Sequence, residues 1–241
     1  MNNAKYSLVN YWDERFADER SYEWLADFGT LRHWMASRLE PTDRIVHLGC
    51  GTSSLSSRLH QLGFHNILNV DCSETLIDRL RKEQPEFEWL CADMRDLSAI
   101  PTGSVDVVVE KATIDVLMTV EKDPWHRSAP LRADIDRVLS ELARILRPNN
   151  GRLLSVTWEQ PHFRVPLLAR PQYAWSVDVQ TLTRADGCLA TYGYCARRGE
   201  PLDWATLRPL TYAWTHRPNT TDKVVYLDEH TDDRYILRIE L

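Results

Sequence analysis

From residue 44 onward the chain alternates short, β-branched apolar runs with amphipathic stretches. Arg44 to Gly49 reads as a strand, Ser53 to Leu62 as a helix stopped by Gly63, and Asn66 to Asp71 as a second strand. Ser73 to Gln84 predicts a helix with Ser73 as N-cap and Pro85 behind it. Phe87 to Ala92 and Val105 to Val109 are further strands, and the run VDVVVE is too continuous for a sheet with one wet face. Apolar side chains at 131, 135, 138, 139, 142, 145 and 146 set a long helix over Leu131 to Leu146, after which Arg152 to Trp158 supplies another strand. Strands alternating with helices imply right-handed crossovers and an α/β, doubly wound, mostly parallel sheet, with its ligand beyond the carboxyl ends of the strands.

The last hundred residues are patterned differently. Tyr173 to Thr183 and Leu189 to Arg198 are β-rich and separated by the turn signal Arg184-Ala185-Asp186-Gly187, which predicts an antiparallel hairpin at the sheet edge. Leu207 to Thr215, Val224 to Leu227 and Tyr235 to Leu241 are weaker candidate strands. At 241 residues the expectation is a single domain: an N-terminal helical segment over 1–40, a core over 41–198 and a C-terminal extension over 199–241. No apolar run is long enough to span a bilayer and no signal-peptide core precedes residue 44, so a cytoplasmic protein without membrane contact is expected. Five scattered cysteines suggest buried thiols rather than disulfides or a metal site, and a net charge of −6 without a basic run argues against a nucleic-acid partner.

The chemistry gathers at the strand ends. Gly49 and Gly51 follow the first strand, Asp71 the second, Asp93 the third, and Glu110 and Lys111 the fourth. The elbow Gly49-Cys50-Gly51-Thr52-Ser53-Ser54 begins like a dinucleotide fingerprint, yet it holds Ser54 where a third glycine or alanine belongs, and no P-loop Lys-Ser/Thr follows. Asp71 lies twenty residues beyond Gly51, a spacing that lets a carboxylate accept from both ribose hydroxyls of an adenosine. Asp93 is placed for the adenine amino group, with Met94 as an apolar neighbour. A ligand without pyrophosphate has no use for a helix start cleared of side chains, which favours an adenosine cofactor over a dinucleotide.

The segments VHLGCGTSSLS, VDCS, CADMRDL and VDVVVEKATIDVL resemble those of the class I, seven-stranded S-adenosylmethionine-dependent methyltransferases. YWDERF, YEWL, EKATIDVL and PHFR are similar to segments of the lysine methyltransferases that act on elongation factor 1-alpha and of their citrate synthase relative. The family's usual glycine and alanine in the third segment are Ala112 and Val116 here. The resemblance implies a seven-stranded sheet, S-adenosylmethionine as cofactor and a protein substrate such as elongation factor 1-alpha. It further implies that Trp12, Phe16 and Trp24 cover the cofactor, making residues 1–40 a lid, with Gly49, Asp71, Cys72, Asp93, Met94 and Lys111 beneath. Trp12 and Phe16, four apart, also fall on one face of a short helix.

The expected chemistry is in-line transfer of a sulfonium methyl group to a neutral amine. Asp115 and Glu110 are the candidates to orient that amine, with the loop Glu121 to Arg127, including Trp125, at the entrance and Tyr173 and Trp175 on the far side. Lys111 is read as a contact to the cofactor carboxylate or to a neighbouring acid. Two alternatives share the cofactor half: a small-molecule methyltransferase, and a module that binds the cofactor without turnover. A nicotinamide dehydrogenase is disfavoured by Ser54 and by the lack of a Tyr-x-x-x-Lys relay.

Overall fold

The structure, a computed structural model, describes residues 3–121, 123, 127–182 and 190–215, with side chains as far as residue 210. The apolar runs form strands β1 (Ile45–Leu48), β2 (Ile67–Asp71), β3 (Glu88–Cys91), β4 (Val107–Lys111), β5 (Arg152–Thr157), β6 (Trp175–Leu182) and β7 (Thr191–Arg198). Together they make one seven-stranded sheet in the order β3-β2-β1-β4-β5-β7-β6. The first five run parallel, and β7 is antiparallel to both of its neighbours, as the sequence predicts. Every residue of β1, β2 and β4 is buried, which requires cover on both faces.

That cover comes from helices α1 (Val9–Asp18), α2 (Phe28–Ala36), α3 (Leu55–Gln61), α4 (Glu74–Glu83), α5 (Asp115–Met118), α6 (Ala129–Ile145), α7 (Pro161–Leu168) and α8 (Trp204–Thr215). Ser73 caps α4 by accepting from the Leu76 amide at 3.2 Å, as predicted. Ser128 caps α6 in the same way, and this helix buries Leu131, Ile135, Val138, Leu139, Leu142 and Ile145, the predicted apolar face. One core joins that face to Val46, Val108 and Leu153, while a second joins Trp34 and Met35 of α2 to Ile45, Val107 and Leu154. The alternate sides of each strand thus feed different cores.

The segment from Leu207 to Thr215 is helical, not extended. Asp203 accepts from the Ala205 and Thr206 amides at 3.0 and 3.3 Å, which starts α8. Leu207 and Leu210, three apart, then join the core beside α7, a helical spacing that the surrounding apolar residues disguise. Residues 184–187, 224–227 and 235–241 lie outside the described residues. Of the cysteines, Cys50 and Cys195 are buried, whereas Cys72 is half-buried and Cys91 exposed, because strand β3 forms the sheet edge. Among the described residues no helix is long and apolar enough to cross a membrane.

Candidate active site

The carboxyl ends of β1, β2 and β4 meet around the glycine elbow. Gly49 and Gly51 both have left-handed backbone, with φ of +62° and +51°. Asp71, at the tip of β2, is buried and accepts from the Gly51 amide at 2.9 Å and the Ser73 amide at 3.1 Å. Burial raises its pKa, with the amides opposing. These two bonds leave acceptor capacity on both carboxylate oxygens, though the Cys72 amide and thiol also favour the charged form, and ribose hydroxyls would draw on what remains. Phe16 lies over Gly51, 3.7 Å from where a Cβ would stand, and Trp12 stacks on Phe16 with ring centroids 5.4 Å apart. Trp12 and Trp24 are edge-to-face at 6.3 Å. An adenosine carrying a cationic tail fits this set of a buried acid, close backbone and electron-rich ring faces.

The N-terminal segment is tied to the strand ends by carboxylates. Asp13 accepts from the Ser73 hydroxyl at 2.6 Å, and Glu19 from the Thr52 hydroxyl at 2.6 Å. Glu23 accepts from the Ser54 amide and hydroxyl, each at 2.7 Å, from the Ser53 hydroxyl at 2.8 Å and from Lys111 Nζ at 3.0 Å. Lys111 Nζ also donates to the Trp24 carbonyl at 2.8 Å. Burial pulls the Lys111 pKa down against Glu23. On Glu23, Lys111 and the Ser54 bonds outweigh burial and hold the carboxyl below its ordinary value. Leu25 and Ala112 flank this contact with left-handed φ of 63° each, strain of about 1–2 kcal/mol per residue. Lys111 thus meets a neighbouring acid, one of the two partners anticipated for it. Glu23 lies 88 residues from Lys111, so no spacing rule pairs the two, and its one mark in the sequence is its place in the YEWL segment.

At the end of β3, Asp93 is half-exposed and forms a fork with Arg95, whose Nη2 donates at 2.6 Å. Arg95 lowers the Asp93 pKa, so any adenine contact is shared with this guanidinium. Met94 packs against the main core. The Cys72 carbonyl accepts from Cys91 Sγ at 3.6 Å.

The acceptor-side candidates sit in a buried charge network. Glu110 is fully buried and both its oxygens are taken. One accepts from Arg164 Nη2 at 2.8 Å and from the Ser155 hydroxyl, the other from the Thr113 and Ile114 amides at 3.1 and 3.3 Å. Burial raises its pKa against the pull of Arg164. Arg164, from the PHFR segment, is completely buried and also faces Glu159 at 3.5 Å and Asp115 at 3.9 Å. Burial would lower its pKa, but the three carboxylates outweigh it and raise it. Arg127 completes the set by pairing with Glu159. Asp115 accepts from the Thr157 hydroxyl through Oδ1, while its buried Oδ2 has no hydrogen-bond partner among the described residues. Glu110 therefore anchors the start of α5, and Asp115 keeps an oxygen to offer. Tyr173 and Trp175 do not line this site: both are buried in the core, bonded to Asp136 at 3.0 Å and to the Leu168 carbonyl at 2.8 Å. Trp125 lies outside the described residues.

A family profile described as "Methyltransferase domain" matches residues 46–154. EEF1A lysine methyltransferase 4 of Bos taurus is 38% identical over 218 residues, covering 85% of this chain and 81% of that protein. EEF1A lysine methyltransferase 4 of Mus musculus is 41% identical over 181 residues, 73% of this chain and 70% of that protein. The N-methyltransferase NodS from Bradyrhizobium japonicum WM9, solved with S-adenosyl-L-homocysteine, shares the fold at a TM-score of 0.55 and 14% identity, over 83% of this chain and 100% of its own. With its parallel sheet, its buried acid opposite a glycine elbow and relatives of this closeness, the chain belongs to the S-adenosylmethionine-dependent methyltransferase family that includes EEF1A lysine methyltransferase 4.

Proposed function

We propose that this methyltransferase modifies a lysine ε-amine of a cytoplasmic protein, elongation factor 1-alpha or one similar to it. The observation that carries the reading is Asp115 Oδ2, a buried carboxylate oxygen with no hydrogen-bond partner among the described residues and only a long ionic contact, to Arg164 Nη2 at 3.9 Å. Arg164 partly offsets the charge of this oxygen but leaves its hydrogen-bond capacity unused, and an incoming ammonium or amine is a donor that would use it. The relatives named for lysine methylation of EEF1A support the same acceptor class.

When bound, the cofactor supplies an electrophilic methyl group on a sulfonium. In this reading Asp71 holds the ribose and Asp93 with Met94 and Cys72 meets the adenine. Trp12, Phe16 and Trp24 close over the cofactor, their ring faces attracting the cation by about 0.5–2 kcal/mol. Gly49 and Gly51 allow the close approach, and Lys111 positions the lid through Glu23 and Trp24. Asp115 orients the acceptor, and Glu110 fixes α5 beneath it. A lysine at pH 7 must give up its proton at a cost of about 4.6 kcal/mol, from a reference pKa near 10.4 and about 1.36 kcal/mol per unit. Asp115 attracts the ammonium yet resists that loss, while burial beside a second positive charge favours it. The remaining work is alignment.

The test is incubation with labelled S-adenosylmethionine and candidate acceptors, including elongation factor 1-alpha, with the label located by mass spectrometry. Label on a protein lysine is expected, and label confined to a small metabolite would overturn the assignment.

A further inference from the structure

We propose that Glu23 is a specificity-determining residue, a carboxylate built into the glycine elbow that admits an adenosine ligand with a cationic tail and rejects one bearing phosphates. The inference rests on the cofactor reading above and extends it.

In dinucleotide sites the amides of such an elbow bind pyrophosphate. Here the Ser54 amide donates to Glu23 at 2.7 Å, and the Ser53 and Ser54 hydroxyls donate to the same carboxylate. Lys111 Nζ, 3.0 Å away, is engaged by it as well and by the Trp24 carbonyl. The donors and the cation that would greet a phosphate are therefore spent on an acid that belongs to the chain. The position of the missing third glycine now has a physical account: Ser54 uses its hydroxyl and its amide together to grip Glu23.

The Gly51 amide links Asp71 to the same elbow, at 2.9 Å. A ligand whose ribose sits on Asp71 must extend its 5′ substituent along this elbow toward Glu23. The sulfonium and α-ammonium of the methionine tail meet an opposite charge there, its single carboxylate leaving the tail net positive, and a diphosphate meets a like charge in a partly buried setting where screening is weak. Asp13, bonded to Ser73 nearby, adds to the same sign, whereas Glu19, bonded to Thr52, is paired with Arg15 at 2.6 Å.

The test measures dissociation constants by calorimetry for S-adenosylmethionine, S-adenosylhomocysteine, adenosine, AMP and ADP. On the unaltered chain, affinity should fall from adenosine to AMP to ADP. Phosphates that leave affinity unchanged or improve it would overturn the proposal without recourse to any variant. In Glu23→Gln, the preference for S-adenosylmethionine over ADP should shrink at least tenfold, chiefly through tighter ADP binding. A folded variant of unchanged melting temperature and unchanged preference would overturn the role of Glu23 alone. Failure of S-adenosylhomocysteine to bind the unaltered chain would overturn the cofactor reading and this inference with it.

Discussion

A Cβ built on Gly49 would lie 2.3 Å from both Cγ2 and Oγ1 of Thr113, so the elbow after β1 and the loop after β4 interlock with no room for a methyl group. Thr113 reinforces the contact by donating to the Leu48 carbonyl at 3.0 Å. Gly49→Ala should therefore cost about 2–5 kcal/mol, the sum of left-handed strain and overpacking. Urea unfolding measures it, and Thr113→Gly in the same chain should return only the overpacking part. An unaltered midpoint in the single variant would refute the interlock.

Asp71→Asn should weaken S-adenosylhomocysteine binding at least tenfold. Hydrogen bonds to a charged group contribute about 1.5–3 kcal/mol each, and the neutral amide presents one acceptor where the carboxylate presents two. Calorimetric titration is the measurement, and an unchanged dissociation constant would show that the ribose lies elsewhere.

Arg164→Met should be among the most damaging single changes, costing about 3–5 kcal/mol at pH 8, because Glu110, Asp115 and Glu159 lose their shared countercharge. Glu110 already has a raised pKa, and without Arg164 it takes up a proton more readily. The deficit measured by denaturant unfolding should therefore narrow between pH 8 and pH 5. A deficit independent of pH would mean that packing, not charge, accounts for the loss.

His47 sets a second pH dependence, of the opposite origin. It is buried on β1, hydrogen-bonded to Ser56 at 2.9 Å, and its pKa is lowered from 6.5 to about 4, mainly by burial. The unfolded chain then binds its proton at a higher pH than the folded one, so stability falls as pH drops from about 6.5 to 4. The full effect is roughly 3 kcal/mol. Unfolding free energies across that window should decline less steeply in His47→Gln than in the unaltered chain.

The parallel core and the acids at its strand ends were readable because they obey local rules: continuous apolar runs, caps and fixed spacings from the glycine elbow. The place of Asp71 opposite the elbow followed from its distance from Gly51. Glu23 and Arg164 could not be read that way, since their partners lie 88 and 54 residues away and a lone acid or base in sequence usually marks a wet surface. Tyr173 and Trp175 were misplaced for a related reason: rings near a strand end suit a pocket wall and a core equally, and Asp136 and the Leu168 carbonyl decide it by taking their polar atoms inside. Leu207 to Thr215 misled because its apolar residues satisfy either period until α7 is present to select one face.

The guanidinium shared by Glu110, Asp115 and Glu159 joins β4, α5, the loop after β5 and α7 at a point shut off from water. If this network flanks the acceptor, as proposed, segments transplanted here from a relative would have to arrive with all of its charges, Arg127 included, since a partial graft strands an ion in the interior. Change by small steps is left to exposed neighbours in the chain such as Trp158 and Val120, which can be exchanged without touching the buried charges.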